Sequence, residues 1–337
     1  MQTSYWGKYR TGRVSRRRVL AVTGATTFGV ALFAACGGGE DEREKASSLV
    51  VEPKDQTKEA KRGGIYRSNN DRQFSTLDPN ASGTTGAGRD MAYQRPLEPK
   101  PGVLEPAVTG EVQGDAASSW EYAGDKMTLT VKLRPENHFD ARPPTNGRVV
   151  EGEDLVFTTN RIQAAGGRRV EFFNSINPDN TLLSWSAPDK STVLFKLARP
   201  DPGFLDMLAQ ASSSYFHIMP READGGFDPR NEQRGSGPFT LVEYVPSAFM
   251  RWKRNPGYWN KEFPLVDQVD WPIISEYSSG LAQFRAGQTF DYAVTPEDIL
   301  PTKRDVPQLA MYSDPAIMTP GFRHFWGFKD SPKNLLP

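Results

Sequence analysis

The side chains that could do covalent or metal chemistry in this 337-residue sequence are few and scattered. Three histidines, His138, His217 and His324, are too widely spaced to give a recognisable metal-ligand cluster, and a single cysteine, Cys36, excludes an intramolecular disulfide. Glu151, Glu153 and Asp154 could be read as a carboxylate pair for acid–base work. They also open a helix predicted over Asp154 to Ala165, where negative charge suits the positive end of the helix dipole, and that position accounts for them without catalysis. A hydrolase needs a nucleophile beside an oriented base, or a metal. No Gly-x-Ser-x-Gly segment occurs, so the expectation is no catalytic residue, no metal site and no cofactor.

The lone cysteine says more by its place than by its number. The chain opens with a basic stretch, then runs uncharged from Val19 to Ala35 and reaches Cys36 followed by three glycines, the shape of a secretory signal. That run is 17 residues long and diluted by Thr23, Gly24, Thr26, Thr27 and Gly29, less than the roughly 20 apolar residues that span a bilayer. Arg16 and Arg17 after Ser15 resemble a twin-arginine export signal, with Val19 where that pattern prefers Phe; Sec export is the alternative route. Phe33-Ala34-Ala35-Cys36 resembles a bacterial lipobox, whose cysteine becomes the lipidated first residue of the mature chain, with Phe33 where Leu is usual; a core cysteine behind an ordinary cleavable signal is the alternative reading. Residues 1–36 are therefore expected to be a lipoprotein signal. The following segment, 37–62, is charged and poor in aromatics, so it cannot bury enough surface to fold and reads as a flexible tether.

Six basic residues precede the first acidic one, which leaves 35 basic against 41 acidic residues, a net of −6, from residue 36 onward. Such a balance gives no footprint for nucleic acid.

The elements that would position a site begin after Gly63-Gly64, with a predicted strand from Ile65 to about Asn69. Ser75-Thr76-Leu77-Asp78-Pro79 is a turn, and Asn80 to Gly88 a loop. Met127, Leu129, Val131 and Leu133 alternate with polar residues after Trp120-Glu121-Tyr122 and a Gly124-Asp125 turn, which predicts a hairpin with one buried face. A second pair is predicted from Leu182 to Trp185 and from Thr192 to Leu197. Helices fit Asp154 to Ala165, Phe204 to Gln210 and Ser278 to Ala286, the last closed by Gly287. Trp120, Tyr258 and Trp259 sit at strand starts and beside Pro and Gly, and are expected in the core rather than stacked on a ligand. The fold class is mixed α/β, of α+β character.

Four blocks, in order, carry a resemblance to a known family: Gly63-Gly64-Ile65-Tyr66 with Leu77-Asp78-Pro79; Trp120 to Arg134 with Phe139-Asp140, Pro143-Pro144-Thr145 and Glu153-Asp154-Leu155-Val156-Phe157; Gly235-Ser236-Gly237-Pro238-Phe239-Thr240-Leu241 with Arg254-Asn255-Pro256-Gly257-Tyr258-Trp259; and Ala286-Gly287-Gln288-Thr289-Phe290-Asp291. Together they resemble the family 5 extracellular solute-binding proteins, which include oligopeptide-, dipeptide- and nickel-binding proteins of bacterial ABC importers. The chain departs from the family pattern at Ala141 and in an apparent insertion from Gly147 to Gly152.

The resemblance implies a periplasmic-binding-protein-like, two-lobed fold of the class II type that closes on its solute by a hinge. Lobe one would be residues 63–290, with an extra β-rich subdomain at about 90–190, and residues 291–337 would begin a second lobe that is incomplete at Pro337. Ser82, Gly83, Thr84 and Thr85 fall, by position, on the loop that offers backbone groups to a bound peptide, and Ser212, Ser213 and Glu297 fall near pocket-lining positions. A plain surface turn, a helix end and a hinge loop are the alternative readings of these same residues. The implied partners are a peptide or similar small solute, the transmembrane subunits of an ABC permease, and the bilayer through the N-terminal anchor, with a monomeric protein in the cell envelope. A receptor or sensor built on the same fold would leave the same sequence pattern, whereas an exported hydrolase fits poorly. One lobe alone is expected to bind solute weakly or not at all, and to expose sheet edge and apolar surface.

Overall fold

In a computed structural model of the chain, the residues described are 57–71, 74–81, 86–100, 111–165, 169–209 and 216–310, and all of them but Ala310 belong to a single compact unit. Ten strands and five α-helices occur among them. In chain order they are β1 (Ile65–Arg67), α1 (Gly86–Ala92), β2 (Leu97–Pro99), β3 (Val112–Gly114), β4 (Ala117–Tyr122), β5 (Thr128–Leu133) and α2 (Gly152–Ala165). There follow β6 (Leu182–Asp189), β7 (Thr192–Leu197), α3 (Phe204–Ala209), β8 (Phe239–Val245), β9 (Phe249–Arg254), β10 (Gln268–Pro272), α4 (Tyr277–Arg285) and α5 (Pro296–Asp305). None of these helices is long and apolar enough to cross a membrane.

The alternation after Tyr122 does what period two requires. Strands β4 and β5 pair antiparallel, with Trp120 opposite Val131, and the connecting turn places Lys126 at φ +58° while Asp125 Oδ1 accepts the Met127 N–H at 2.9 Å. Leu129, Val131 and Leu133 are buried; Met127, at the turn, is not. Strand β7 joins the other edge of β5 and carries Val193, Phe195 and Leu197 into the same interior, with β6 outermost in the order β4-β5-β7-β6. Strand β6 runs beyond the predicted Trp185 to Asp189, with Pro188 inside it. A missing N–H is tolerated there because β6 is an edge strand and its register shifts between Ser186 and Asp189.

Helix α2 packs on β6 and β7 and buries Leu155, Thr158, Thr159 and Ile162. Its acidic start is more than dipole complementation, because Asp154 is completely buried. Asp154 Oδ2 accepts the Glu151 N–H at 2.9 Å, and its two oxygens take the Arg148 guanidinium at 2.7 and 2.8 Å. Asp154 Oδ1 also accepts the Arg221 N–H at 3.1 Å, while Arg148 goes on to Glu222. The carboxylate thus caps its own helix and nails the 148 and 221 segments to it.

A second, mixed sheet has the order β1-β10-β9-β8, with β1 parallel to β10 and the other pairs antiparallel. Its interior is Trp252, Trp271, Met250, Val269, Leu241 and Phe239, closed by Phe74 and Leu77 from the turn after β1. Strand β1 appears where the sequence predicts it but is exposed along its whole length, Ile65 at 40% and Tyr66 at 37%. The two-stranded pair β2–β3 lies between the sheets in sequence.

The blocks of the third motif are explained by close approach. A Cβ on Gly235 would lie 1.8 Å from the Ala92 carbonyl oxygen, and one on Gly237 would lie 2.6 Å from the Ala92 carbonyl carbon, so glycine alone lets this segment seat on the end of α1. Gly237 N–H donates to that same Ala92 oxygen at 2.8 Å. Asn255 then fixes the strand ends: its Nδ2 donates to Gly237 O and its Oδ1 accepts the Gly257 N–H, each at 2.9 Å. Tyr258 is buried, and Trp259 lies under the Arg134 guanidinium at 3.8 Å, so both belong to the framework, with Trp120 packed against the core.

Candidate functional site

Of the residues singled out in the sequence, Ser82, Gly83, Thr84, Thr85, Ser212 and Ser213 lie outside the described residues, as do Arg16, Arg17 and Cys36. Glu297 is described: it stands exposed in the first turn of α5, away from any hydrogen bond or ion pair among the described residues. What the structure does define is the ground on which the two candidate loops stand, and it brings their stems together.

The stem of the first loop is Asp78-Pro79-Asn80-Ala81, followed on its far side by α1. Asp78 Oδ1 accepts the Asn80 N–H at 2.9 Å, and its other oxygen receives the Arg161 guanidinium from α2. The stem of the second loop is Phe216-His217-Ile218, and both flanking residues are packed in the large core. Asn80 Nδ2 donates to the His217 carbonyl oxygen at 3.5 Å, and Ile218 N–H donates to Gln94 O at 2.8 Å. The His217 ring, fully buried, meets Asp90 of α1 with Nε2 2.6 Å from Oδ1.

The electrostatics of this pair can be read from its surroundings. Burial lowers His217 most, Asp90 pulls the other way, and Arg95 and Arg89 add to the lowering, so the imidazole is held down to about 4 and is neutral at physiological pH. Burial alone would raise Asp90, but the His217 hydrogen bond and the Arg95 and Arg89 charges outweigh it and leave the carboxyl below its usual range. The contact is therefore a hydrogen bond from a neutral ring to a carboxylate. With the proton on Nε2, Nδ1 is an acceptor, buried and without a partner among the described residues.

Arg95 carries the network inward. Its guanidinium reaches Asp90, its N–H donates to Asp115 Oδ2 at 2.8 Å, and Gln94 Nε2 donates to Asp115 Oδ1 at 2.9 Å. Burial and the neighbouring Glu98 push the Asp115 carboxyl up, to about 7, against the opposing pull of Arg95. Among the described residues no group of three or more His, Cys, Asp or Glu is placed to hold a metal ion. The arrangement is a buried polar network that ties residues 78–80, 90–95, 115 and 217–218 to one another.

Residues 111–326 match the sequence profile of the bacterial extracellular solute-binding proteins, family 5 Middle, which covers more than half of the chain. The chain belongs to this family. Among its relatives, the di/tripeptide-binding protein 4 of Pseudomonas aeruginosa is 26% identical over 263 residues, 73% of this chain and 47% of that protein. The dipeptide-binding protein of Escherichia coli is 29% identical over 242 residues, 66% of this chain and 43% of that protein. Of solved structures, the periplasmic binding protein DppA from Helicobacter pylori, in complex with the peptide STSA, superposes with a TM-score of 0.62 at 19% identity, over 73% of this chain and 50% of that one. The fold is thus that of the two-lobed periplasmic binding proteins, and the chain spans about half the length of the curated relatives it matches.

Sequence reasoning missed Asp90 and His217 as a pair. The histidine was visible only as an isolated residue, and its partner lies 127 positions away on a short helix that no periodicity announces.

Proposed function

We propose that this family 5 protein captures peptides or similar small solutes outside the cytoplasm and delivers them to the transmembrane subunits of an ABC importer, without chemical change. In this reading Arg16 and Arg17 direct export, Cys36 carries the lipid that holds the protein at the membrane, and residues 37–62 are the tether. Ser82, Gly83, Thr84 and Thr85, with Ser212, Ser213 and Glu297, contribute to the solute site, on a first lobe of residues 63–290 with its β-rich part at about 90–190, and a second lobe beginning at 291. The observation that supports it most is the family match over residues 111–326, because that span includes both the second loop stem and the glycine-mediated seat on α1. Relatives named for di- and tripeptide binding make short peptides the first solutes to try.

The direct test is an NMR titration of the purified protein with di-, tri- and tetrapeptides, a method that reads affinities as weak as about 1 mM. Saturable shifts with peptides recovered intact are the expected result. No saturable shift with any peptide or small solute, or cleavage of the peptides, overturns the proposal. Lipid attachment is tested separately: labelled palmitate is expected on the wild type and absent from Cys36→Ala, which should be released from membranes.

A further inference from the structure

We propose that His217 is a positioning residue for the solute site, acting with Asp90 to hold the stems of the two loops in one fixed register. The inference rests on the solute-binding reading above and adds to it a residue that does not itself touch solute.

Residues 217 and 218 are bonded to three separate places at once. The His217 ring donates from Nε2 to Asp90 on α1, its carbonyl oxygen accepts from the Asn80 side chain, and the next N–H goes to Gln94 O just beyond α1. Asn80 is itself held by Asp78, which Arg161 ties to α2. A solute bound through backbone groups needs donors and acceptors within about 2.7–3.2 Å, so a slip of the two stems past each other loses several hydrogen bonds together. Packing does not explain the choice of residue. The ring is wholly buried, Phe216 and Ile218 beside it are apolar, and its Nδ1 is left without a donor, a cost that Leu at the same place would avoid. What the polar side chain supplies at this place is the bond to Asp90.

The experiment compares wild type, His217→Leu and His217→Gln in the peptide titration, with thermal melts and amide hydrogen exchange over residues 78–95 alongside. The Leu variant is expected to melt no lower than about the wild type, to exchange faster in that segment and to bind peptide about tenfold more weakly. Gln, whose amide N–H can reach Asp90, should restore affinity to near the wild-type value, a rescue that a merely structural role would not produce. Should the Leu variant fail to fold, Asp90→Ala against Asp90→Asn asks the same question, since Asn keeps an acceptor for Nε2–H and should bind better than Ala. Equal peptide affinity in wild type, His217→Leu and Asp90→Ala overturns the positioning role and leaves the solute-binding function standing. A wild type that binds no solute removes that function and this inference with it.

Discussion

Strands β4 and β5, and strands β6 and β7, meet through tight turns between sequence neighbours, whereas β1 finds its place against β10 by pairing Ile65 with Gln268 across most of the described chain. The two sheets differ correspondingly in how they are buried. In β4-β5-β7-β6 one face is sealed by α2 and by Phe172, Phe173, Phe204 and Phe216, while in β1-β10-β9-β8 the interior is centred on Trp252 and Trp271 and the edge strand β1 is exposed along its whole length. Local pairing has produced the deeper core, and the sheet closed by long-range pairing carries an unshielded edge. The difference predicts where substitutions will hurt.

The largest effect is expected at Phe195, wholly buried in β7 and edge-on to Phe204 with ring centroids 5.6 Å apart. Phe195→Ala should cost about 3–5 kcal/mol in urea unfolding, from lost transfer energy and the cavity left behind. A loss below about 1 kcal/mol would break the comparison, since the first sheet would then be no better packed than the edge of the second.

Next in size is Asp154. Its removal leaves the Glu151 and Arg221 N–H groups and one side of Arg148 without their acceptor, all against a buried site. Asp154→Ala is expected to cost about 2–4 kcal/mol by the same measurement. Asp154→Asn, which keeps one acceptor oxygen, should cost less, and equal costs would mean that charge rather than bond geometry holds the helix start.

How much of this was legible beforehand follows the same division. Leu129, Val131 and Leu133, like Val193, Phe195 and Leu197, announce their buried face because a strand's period is expressed within six residues. The parallel contact of β1 with β10 has no local signature, and Ile65-Tyr66 reads as an apolar strand whether or not anything covers it. Helix α5 escaped because Pro301 lies inside it, and proline argues against a helix interior unless, as here, the segment is short and starts at another proline, Pro296. In the candidate site, the glycines at 235 and 237 were recognisable as a motif, but their reason, contact with the Ala92 backbone, is tertiary. So is the meeting of Asp90 with His217, which no spacing rule could supply.

Between the two sheets in sequence stands Asp115, just after β3, and it sharpens the comparison through pH. Burial and Glu98 raise its carboxyl to about 7, above the ordinary carboxylate value near 4, so the folded chain holds a proton through a window in which the unfolded chain has released it. Stability is therefore greatest from this group below about pH 4 and declines as pH rises toward 7, by at most ~4 kcal/mol in total. Carboxylates held low, such as Asp90 and Glu222, lose stability in the opposite direction, as pH falls through their depressed values. The useful quantity is thus the difference between wild type and Asp115→Asn, whose unfolding free energies should diverge by roughly 1 kcal/mol per unit between pH 5 and 7 and run parallel above that. Parallel curves throughout would place the Asp115 proton off the carboxyl across the whole range.

The smallest effect should come from β1. Ile65 is 40% exposed, and neither its side chain nor that of Arg67 is buried against a neighbour. The segment after α4 touches this edge only lightly, through the Phe290 N–H donated to Arg67 O at 2.8 Å and the Tyr66 and Phe290 rings 5.8 Å apart. Ile65→Thr keeps a β-branched residue suited to the strand, so it should change stability by no more than about 0.5 kcal/mol, while lowering the tendency of an uncovered apolar edge to self-associate, as read by light scattering against concentration. A loss above about 2 kcal/mol would mean that Ile65 is buried in solution. In that case the unshielded edge would be a covered surface, and the contrast between a sealed sheet and an open one would disappear.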